Sequence, residues 1–298
     1  MGPGTHAFGA LFTLNEGHQQ TLDLHRSTSN DGGKTRATHA FAIDQKGIYS
    51  SQMIGNDVAK QIHRHASTTP EIPLFMYVAF TTIHTPLMVD ERFIQQNQHM
   101  QGDDEIRINA GMMTAMDEGY GTIVTALEET GLWENTIVLT FSDNGAMVSQ
   151  GASNYPLRGQ KMGPFEGGIR SVAFVTGGHK DVDRSAGSTS HAMLHAVDVH
   201  TLALHWASPL DNSIVRFSNP PHKAKQLDAV NGLHLWETMQ GKRVNSPRTG
   251  FVSLLDDVGG YLFVLEQMQY TMLGKCVAAR YVFTRAWNCG VQNLKKHF

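Results

Sequence analysis

Cysteine is almost missing: Cys276 and Cys289 are the two among 298 residues. That excludes a disulfide framework and leaves one bridge or two thiols. No uninterrupted apolar run reaches the roughly 18 residues of a membrane span. The opening Met1-Gly2-Pro3-Gly4-Thr5-His6 has no basic stretch leading into an apolar one, so no export signal is visible and the sequence alone fixes no compartment. Asn-x-Ser/Thr acceptors, repeats and low-complexity tracts are missing as well. Neither charge sign dominates, since 24 Lys and Arg stand against 27 Asp and Glu for a net −3. Nucleic-acid phosphates and anionic membrane surfaces therefore find no electrostatic handle. Histidine is abundant at 16, yet only His191 and His195 have H-x-x-x-H spacing, and Ala192 stands where a zinc-protease helix carries its glutamate. What is present is apolar material, 41% of residues, enough for the core of one large domain or two smaller ones.

Residues 1–45, rich in Gly, Thr, Ser, His and Asn, show no sustained period and are expected to be irregular. From Ser51, apolar Ile54, Val58 and Ile62 recur every fourth residue and predict a helix. Residues 74–80, Leu-Phe-Met-Tyr-Val-Ala-Phe, form a continuous apolar run of strand length. After Asp103-Asp104 a long helix is expected to end near Gly131, its apolar face running through Ile106, Ala110, Met113, Met116, Tyr120, Ile123, Val124 and Leu127. Residues 136–141 are a second strand run, followed at once by Ser142-Asp143-Asn144-Gly145. Strand, helix and strand in this order predict a parallel crossover. Ligands of open parallel sheets sit outside the carboxyl ends of the strands, which would bring His84 and Asp143-Asn144 to one crevice. Further on come a Gly-rich segment over 156–170, a short strand over 172–175 and a helix from about His191 to Trp206. Short apolar runs around 251–255, 261–265 and 276–283 predict a small antiparallel sheet. The expected organisation is an irregular stretch over 1–45, an α/β domain over 46–210 and a carboxyl-terminal region over 211–298.

Three short features carry chemistry. Asp143-Asn144 pairs a carboxylate with an amide carbonyl, acceptable to a hard divalent cation, although Asp-Asn-Gly is also ordinary turn chemistry. Lys161, within Arg158-Gly159-Gln160-Lys161, is a cation on a Gly-containing loop that suits an anionic group or simply a solvated surface. His84, before Thr85-Pro86, suits a proton donor or an anion contact, or else a plain residue at a strand end.

Taken in order, these residues and their surroundings resemble the sulfatase family, and within it the arylsulfatase B type. The resemblance is carried by Gly47-Ile48-Tyr49-Ser50-Ser51, by Pro73-Leu74-Phe75-Met76-Tyr77 through Ile83-His84-Thr85-Pro86-Leu87, and by Ala110-Gly111-Met112 through Met116-Asp117-Glu118. It continues in Gly131-Leu132-Trp133-Glu134-Asn135-Thr136, Phe141-Ser142-Asp143-Asn144-Gly145, Pro156-Leu157-Arg158-Gly159-Gln160-Lys161 and Glu166-Gly167-Gly168-Ile169-Arg170. Coverage runs from about residue 45 to about 275. The resemblance implies an α/β, alkaline-phosphatase-like fold and hydrolysis of sulfate esters, with small sulfate esters or sulfated glycans as substrates. It makes Asp143 and Asn144 two ligands of a divalent cation, calcium in this family. Lys161 and His84 become sulfate contacts, Lys161 offsetting charge and His84 giving a proton to the leaving oxygen. Glu166 and Arg170 become charges that fix the loop. A lysosomal or secretory protein is the corresponding expectation.

The family's nucleophile is a formylglycine made from cysteine in a Cys-x-Pro-Ser-Arg stretch. That stretch, the family's early aspartate pair and its Lys-x-His are not found, so no nucleophile is identified and a fold short of its amino end is expected. Cys276-Val277-Ala278-Ala279-Arg280 has Cys-x-Ala-x-Arg spacing but follows the other motifs instead of preceding them, and Asp256-Asp257 imitates the aspartate pair in an equally late place. Both are expected to be structural. Alternative readings are a non-catalytic relative that binds sulfated ligands and a related phosphatase or phosphonate hydrolase.

Overall fold

In the computed structural model, residues 12–14, 20–22, 24–28, 38–163, 165–183, 186–207, 232–242, 246–256, 261–267 and 279–285 are described. The opening stretch is more ordered than its composition predicts. Strands β1 (Phe12–Leu14) and β2 (Gln20–Leu22) pair antiparallel, as do β3 (His25–Thr28) and β4 (Thr38–Phe41). At three or four residues each, these strands are too short for a sequence period to be read.

The chain forms two units, Met1–Thr136 with Ala146–Pro156 and Ile137–Gly145 with Leu157–Phe298. In the first, the four-residue apolar repeat produces α1 (Ser50–Thr68), followed by α2 (Glu91–Gln96) and α3 (Asp104–Glu129). Asp104 and Glu105 in the first turn of α3 favour its positive end. Val58, Ile62, Ala126 and Leu127 form one buried cluster between α1 and α3, while Tyr49, Phe93 and Ala115 form another. Full burial of an Ile or Leu side chain contributes about 1.5–3 kcal/mol, so these clusters hold the helix pair. The face of α3 that is buried differs from the expected one. Met112 is 1% exposed and Met113 44%, because the seam follows Gly111, Ala115 and Gly119. A Cβ at Gly119 would stand 2.5 Å from the Ser51 carbonyl oxygen, and one at Gly55 2.6 Å from that of Gly119. Backbone contact, which only glycine permits here, outweighs the larger side chains in choosing the face.

The expected parallel crossover is not formed among the described residues. Residues 74–80 run without a ladder partner. Met76 and Val78 pack on the α1–α3 cluster, while Phe75 and Tyr77 point outward at 76% and 77% exposure. Alternation settles which side chains face the core, but a ladder also needs a neighbour to take the N–H and C=O groups. The second run, β5 (Val138–Phe141), does find a neighbour, and it is antiparallel: β6 (Ala173–Thr176), in register from Val138 opposite Thr176 to Phe141 opposite Ala173.

The second unit adds α4 (Glu166–Ile169), α5 (Lys180–Asp183), α6 (Ala196–Ala207) and α7 (Trp236–Met239). Val182, Leu202 and Trp236 form its buried cluster, with Ile137, Leu139 and Val175 of the β5–β6 region packed against it. Helix α6 starts at Ala196, several residues later than expected. The fully buried Asp198 carboxylate reaches back to accept the His195 amide at 2.8 Å, the reciprocal half of a capping box. The same carboxylate accepts the Leu233 amide at 2.7 Å and the Arg248 guanidinium through Nε at 2.7 Å and a terminal nitrogen at 2.5 Å. The expected small carboxyl-terminal sheet is present as β7 (Gly250–Asp256), β8 (Tyr261–Gln267) and β9 (Ala279–Arg285), all antiparallel. Among the described residues no helix is long and apolar enough to cross a membrane.

Candidate functional site

Asp143 and Asn144 leave β5 in a tight turn. The Ser142 hydroxyl donates to the Asn144 carbonyl at 2.8 Å, and the Ser142 amide donates to Val172 O at 3.0 Å. Gly145 then donates its amide to Gly168 O at 2.8 Å. Its Cα lies so close to the backbone of Gly167 and Gly168 that a Cβ there would collide with the Gly167 carbonyl. The turn is thereby pinned to α4 by main chain alone, with the Asp143 side-chain position exposed and Asn144 half-buried.

The loop bearing Lys161 is fastened to the same place. Gly167 donates to Arg158 O at 2.7 Å, and the Arg158 guanidinium lies 4.1 Å from the centre of the Phe165 ring. Gly163 donates to Gln160 O at 3.0 Å, closing a turn around Lys161, which is half-buried. Glu166 and Arg170 form a 3.4 Å ion pair one turn apart on α4 and the residue after it. With Arg170 59% exposed, that pair fixes α4 only weakly. Asp143, Asn144, Lys161, Glu166 and Arg170 therefore belong to one unit, on loops joined through Gly145, Gly167 and Gly168. The Gly-rich stretch was visible in the sequence. Its use as a backbone clasp was not.

His84 belongs to the first unit. It is exposed, its amide donates to Thr81 O at 3.0 Å, and its Nδ1 lies 2.7 Å from the Thr85 carbonyl oxygen. A carbonyl only accepts, so Nδ1 carries the hydrogen and Nε2 is the ring atom left for a ligand. The threonines before it are gripped in turn. Thr81 Oγ1 lies 2.9 Å from Ser50 Oγ, and Thr82 Oγ1 lies 2.6 Å from Ser51 Oγ. In the sequence Ser50 and Ser51 figure only within the Gly47–Ser51 family match and carry no role of their own, because a pair of hydroxyls has no period or spacing that shows what it will meet.

The cation expected at Asp143 and Asn144 can be tested against the donor set. These residues offer two hard oxygens, whereas calcium takes about six to eight. Among the described residues no three His, Cys, Asp or Glu side chains gather as a metal-binding group. On their own they do not fit a calcium centre. His191 and His195 lie ahead of α6 and not on it, so the helical H-x-x-x-H geometry is not formed. Asp256 ends β7, while Cys276, Asp257 and Cys289 lie outside the described residues.

A family model described as Sulfatase matches residues 5–209. Arylsulfatase J of Mus musculus is 32% identical over 213 residues, which are 71% of this chain and 32% of that protein. N-acetylgalactosamine-6-sulfatase of Homo sapiens is 30% identical over 181 residues, 59% of this chain and 30% of that protein. The chain thus spans about a third of the length of the curated relatives it matches. The solved structure of Ps i-CgsB in complex with k-i-k-neocarrahexaose superposes with a TM-score of 0.60 at 22% identity, covering 78% of this chain and 48% of that one. A likeness at that identity speaks for the fold, here the α/β, alkaline-phosphatase-like fold expected from the sequence. Motifs in the family's order, a matching family model and a shared fold lead to one conclusion: the chain belongs to the sulfatase family.

Proposed function

We propose that this protein acts on sulfate esters in the manner of the arylsulfatase B type, with sulfated glycans as its substrate class. The observation that carries the reading is the backbone clasp through Gly145, Gly167 and Gly168, which joins the Asp143-Asn144 turn to the loop bearing Lys161. A sulfate ester is an anion, and cleavage of its S–O bond leaves an alkoxide that needs a proton. The Lys161 ammonium offsets the sulfate charge. His84, with Nδ1–H held by the Thr85 carbonyl, gives the leaving oxygen its proton from Nε2, which requires the ring to be protonated beforehand. Asp143 and Asn144 would give two oxygens to a divalent cation, calcium, whose remaining ligands these two residues do not supply, and Glu166 with Arg170 adds a weak tie along α4. No residue of this chain is assigned to the attack on sulfur, which the family assigns to formylglycine. A lysosomal or secretory placement follows on the same family grounds.

The reading is tested by titrating the 298-residue chain with 4-nitrophenyl sulfate and 4-nitrophenyl phosphate, then assaying turnover of both with calcium after co-expression with the formylglycine-generating enzyme. Preference for the sulfate is the expected result. Preference for the phosphate would favour the phosphatase or phosphonate reading. Binding of the sulfate without turnover would favour a non-catalytic role. Turnover abolished by Cys276→Ala would make that cysteine the attacking residue.

A further inference from the structure

We infer that Ser50 and Ser51, at the start of α1, are positioning residues for His84. The inference rests on the reading of His84 as a sulfate contact. Three observations lead to it. First, Ser50 and Ser51 are 2% and 0% exposed, yet neither hydroxyl is spent on capping α1, whose N-cap Tyr49 makes no side-chain cap bond. Both reach across to the loop instead, Ser50 to the Thr81 hydroxyl at 2.9 Å and Ser51 to the Thr82 hydroxyl at 2.6 Å. A buried serine hydroxyl that spends its hydrogen bond on a more exposed threonine holds that threonine, since letting go would strand the serine.

Second, Thr81 and Thr82 lead directly into His84, whose amide closes a turn on the Thr81 carbonyl at 3.0 Å. A shift at Thr81 is therefore passed to the His84 backbone with one hydrogen bond between them. Tyr49 lies close by: burial raises its phenol above the usual range, and the nearby Thr82 hydroxyl opposes that rise.

Third, the platform itself is fixed. The Ser51 carbonyl lies where a Cβ on Gly119 would stand 2.5 Å away, so the start of α1 cannot slide against α3. The hydroxyl pairs tie an exposed imidazole to the most closely approached backbone of the helix pair. A loop carrying a proton donor needs such support, because misplacement by about 1 Å can cost on the order of a hundredfold in rate.

The test uses the full chain labelled with [13C]histidine, the His84 ring signal being assigned through His84→Ala. Each variant is read for the position of that signal and for affinity toward 4-nitrophenyl sulfate. Thr82→Val keeps shape and removes the hydroxyl, whereas Thr82→Ser keeps the hydroxyl. The expected result is that Thr82→Val moves the His84 signal and weakens binding about two- to tenfold, the span of one net hydrogen bond, and that Thr82→Ser leaves both near the original. Ser51→Ala should act in the same direction and add little to Thr82→Val, since both break one contact. The Thr82 pair decides the matter alone where Ser51→Ala does not fold. An unmoved His84 signal and unchanged affinity in Thr82→Val, with only the melting temperature lowered, would overturn the inference by reducing the hydroxyls to packing. Unchanged affinity in His84→Ala would instead overturn the underlying reading of His84, and the inference with it.

Discussion

Where α1 meets α3, the contact is made of Val58, Ile62, Ala126 and Leu127, with glycines where the backbones come closest. Charges there stay outside: Arg92 grips Glu118 at 2.8 and 3.0 Å with both side chains about half exposed. Around α6 the arrangement is reversed. A carboxylate with no exposure, Asp198, gathers the His195 and Leu233 amides and the Arg248 guanidinium, and apolar Leu202 and Trp236 close over the neighbouring space. The first region is held by shape and the second by satisfied polarity. The two therefore fail under different insults, because a close-packed seam is sensitive to added volume and a buried charge to the loss of a partner.

The largest effect is expected at Asp198. Replacement by Ala takes the carboxylate away from the Arg248 guanidinium and two amides, and should lower unfolding stability by about 3–5 kcal/mol, read from urea denaturation. A loss below about 1 kcal/mol would erase the distinction between the regions. Next comes Gly119→Ala, whose added methyl must enter the space held by the Ser51 carbonyl. Overpacking of about 1–3 kcal/mol outweighs the gain of up to about 1 kcal/mol in helix propensity, and hydrogen exchange should show the damage concentrated in α1 and α3.

A pH titration sharpens the contrast further. Burial first, and then the neighbouring His234, whose ring centre lies 4.2 Å away, pulls the His205 imidazole below its ordinary 6.5, against the opposing pull of Glu237 and Asp181. The folded state thus binds fewer protons there than the unfolded one. Stability from this group is complete above pH 6.5 and is lost as the pH falls below it toward the folded value. Glu118 is held below its ordinary 4.5, chiefly by the Arg92 hydrogen bond, so its contribution persists above pH 4.5 and is lost only below that. Acidification should therefore loosen the α6–α7 region before the α1–α3 pair, with His205→Phe removing the earlier phase. The smallest effect is expected from Glu118→Gln at neutral pH, near the resolution of a thermal melt, since solvent screens so exposed a pair.

The same contrast explains what could be read from sequence. Ile54, Val58 and Ile62 announce α1 because a repeat of about four is what an apolar helix face requires, and Asp103-Asp104 marks the start of α3. The buried face of α3 was misread because apolar size was weighed and the closeness that Gly111 and Gly119 allow was not. Residues 74–80 show strand chemistry, but a ladder depends on a neighbour far away in the chain. Asp198 sits in an ordinary helical stretch, and nothing local reveals that Arg248, fifty residues onward, will meet it. Asp143, Asn144 and Lys161 stood out through their order among the family motifs. Their mutual support through Gly145, Gly167 and Gly168 is a main-chain matter that side-chain patterns do not express.

The central claim is that Lys161 supplies the cation of a sulfate-ester site, and calorimetric titration of 4-nitrophenyl sulfate into the wild-type chain and Lys161→Ala tests it most directly, with Lys60→Ala on α1 as the control. A charge-assisted contact of about 1.5–3 kcal/mol corresponds to a loss of roughly ten- to a hundredfold, which the account predicts for Lys161→Ala and not for Lys60→Ala. Equal affinity in wild type and Lys161→Ala, with both proteins folded, would contradict it.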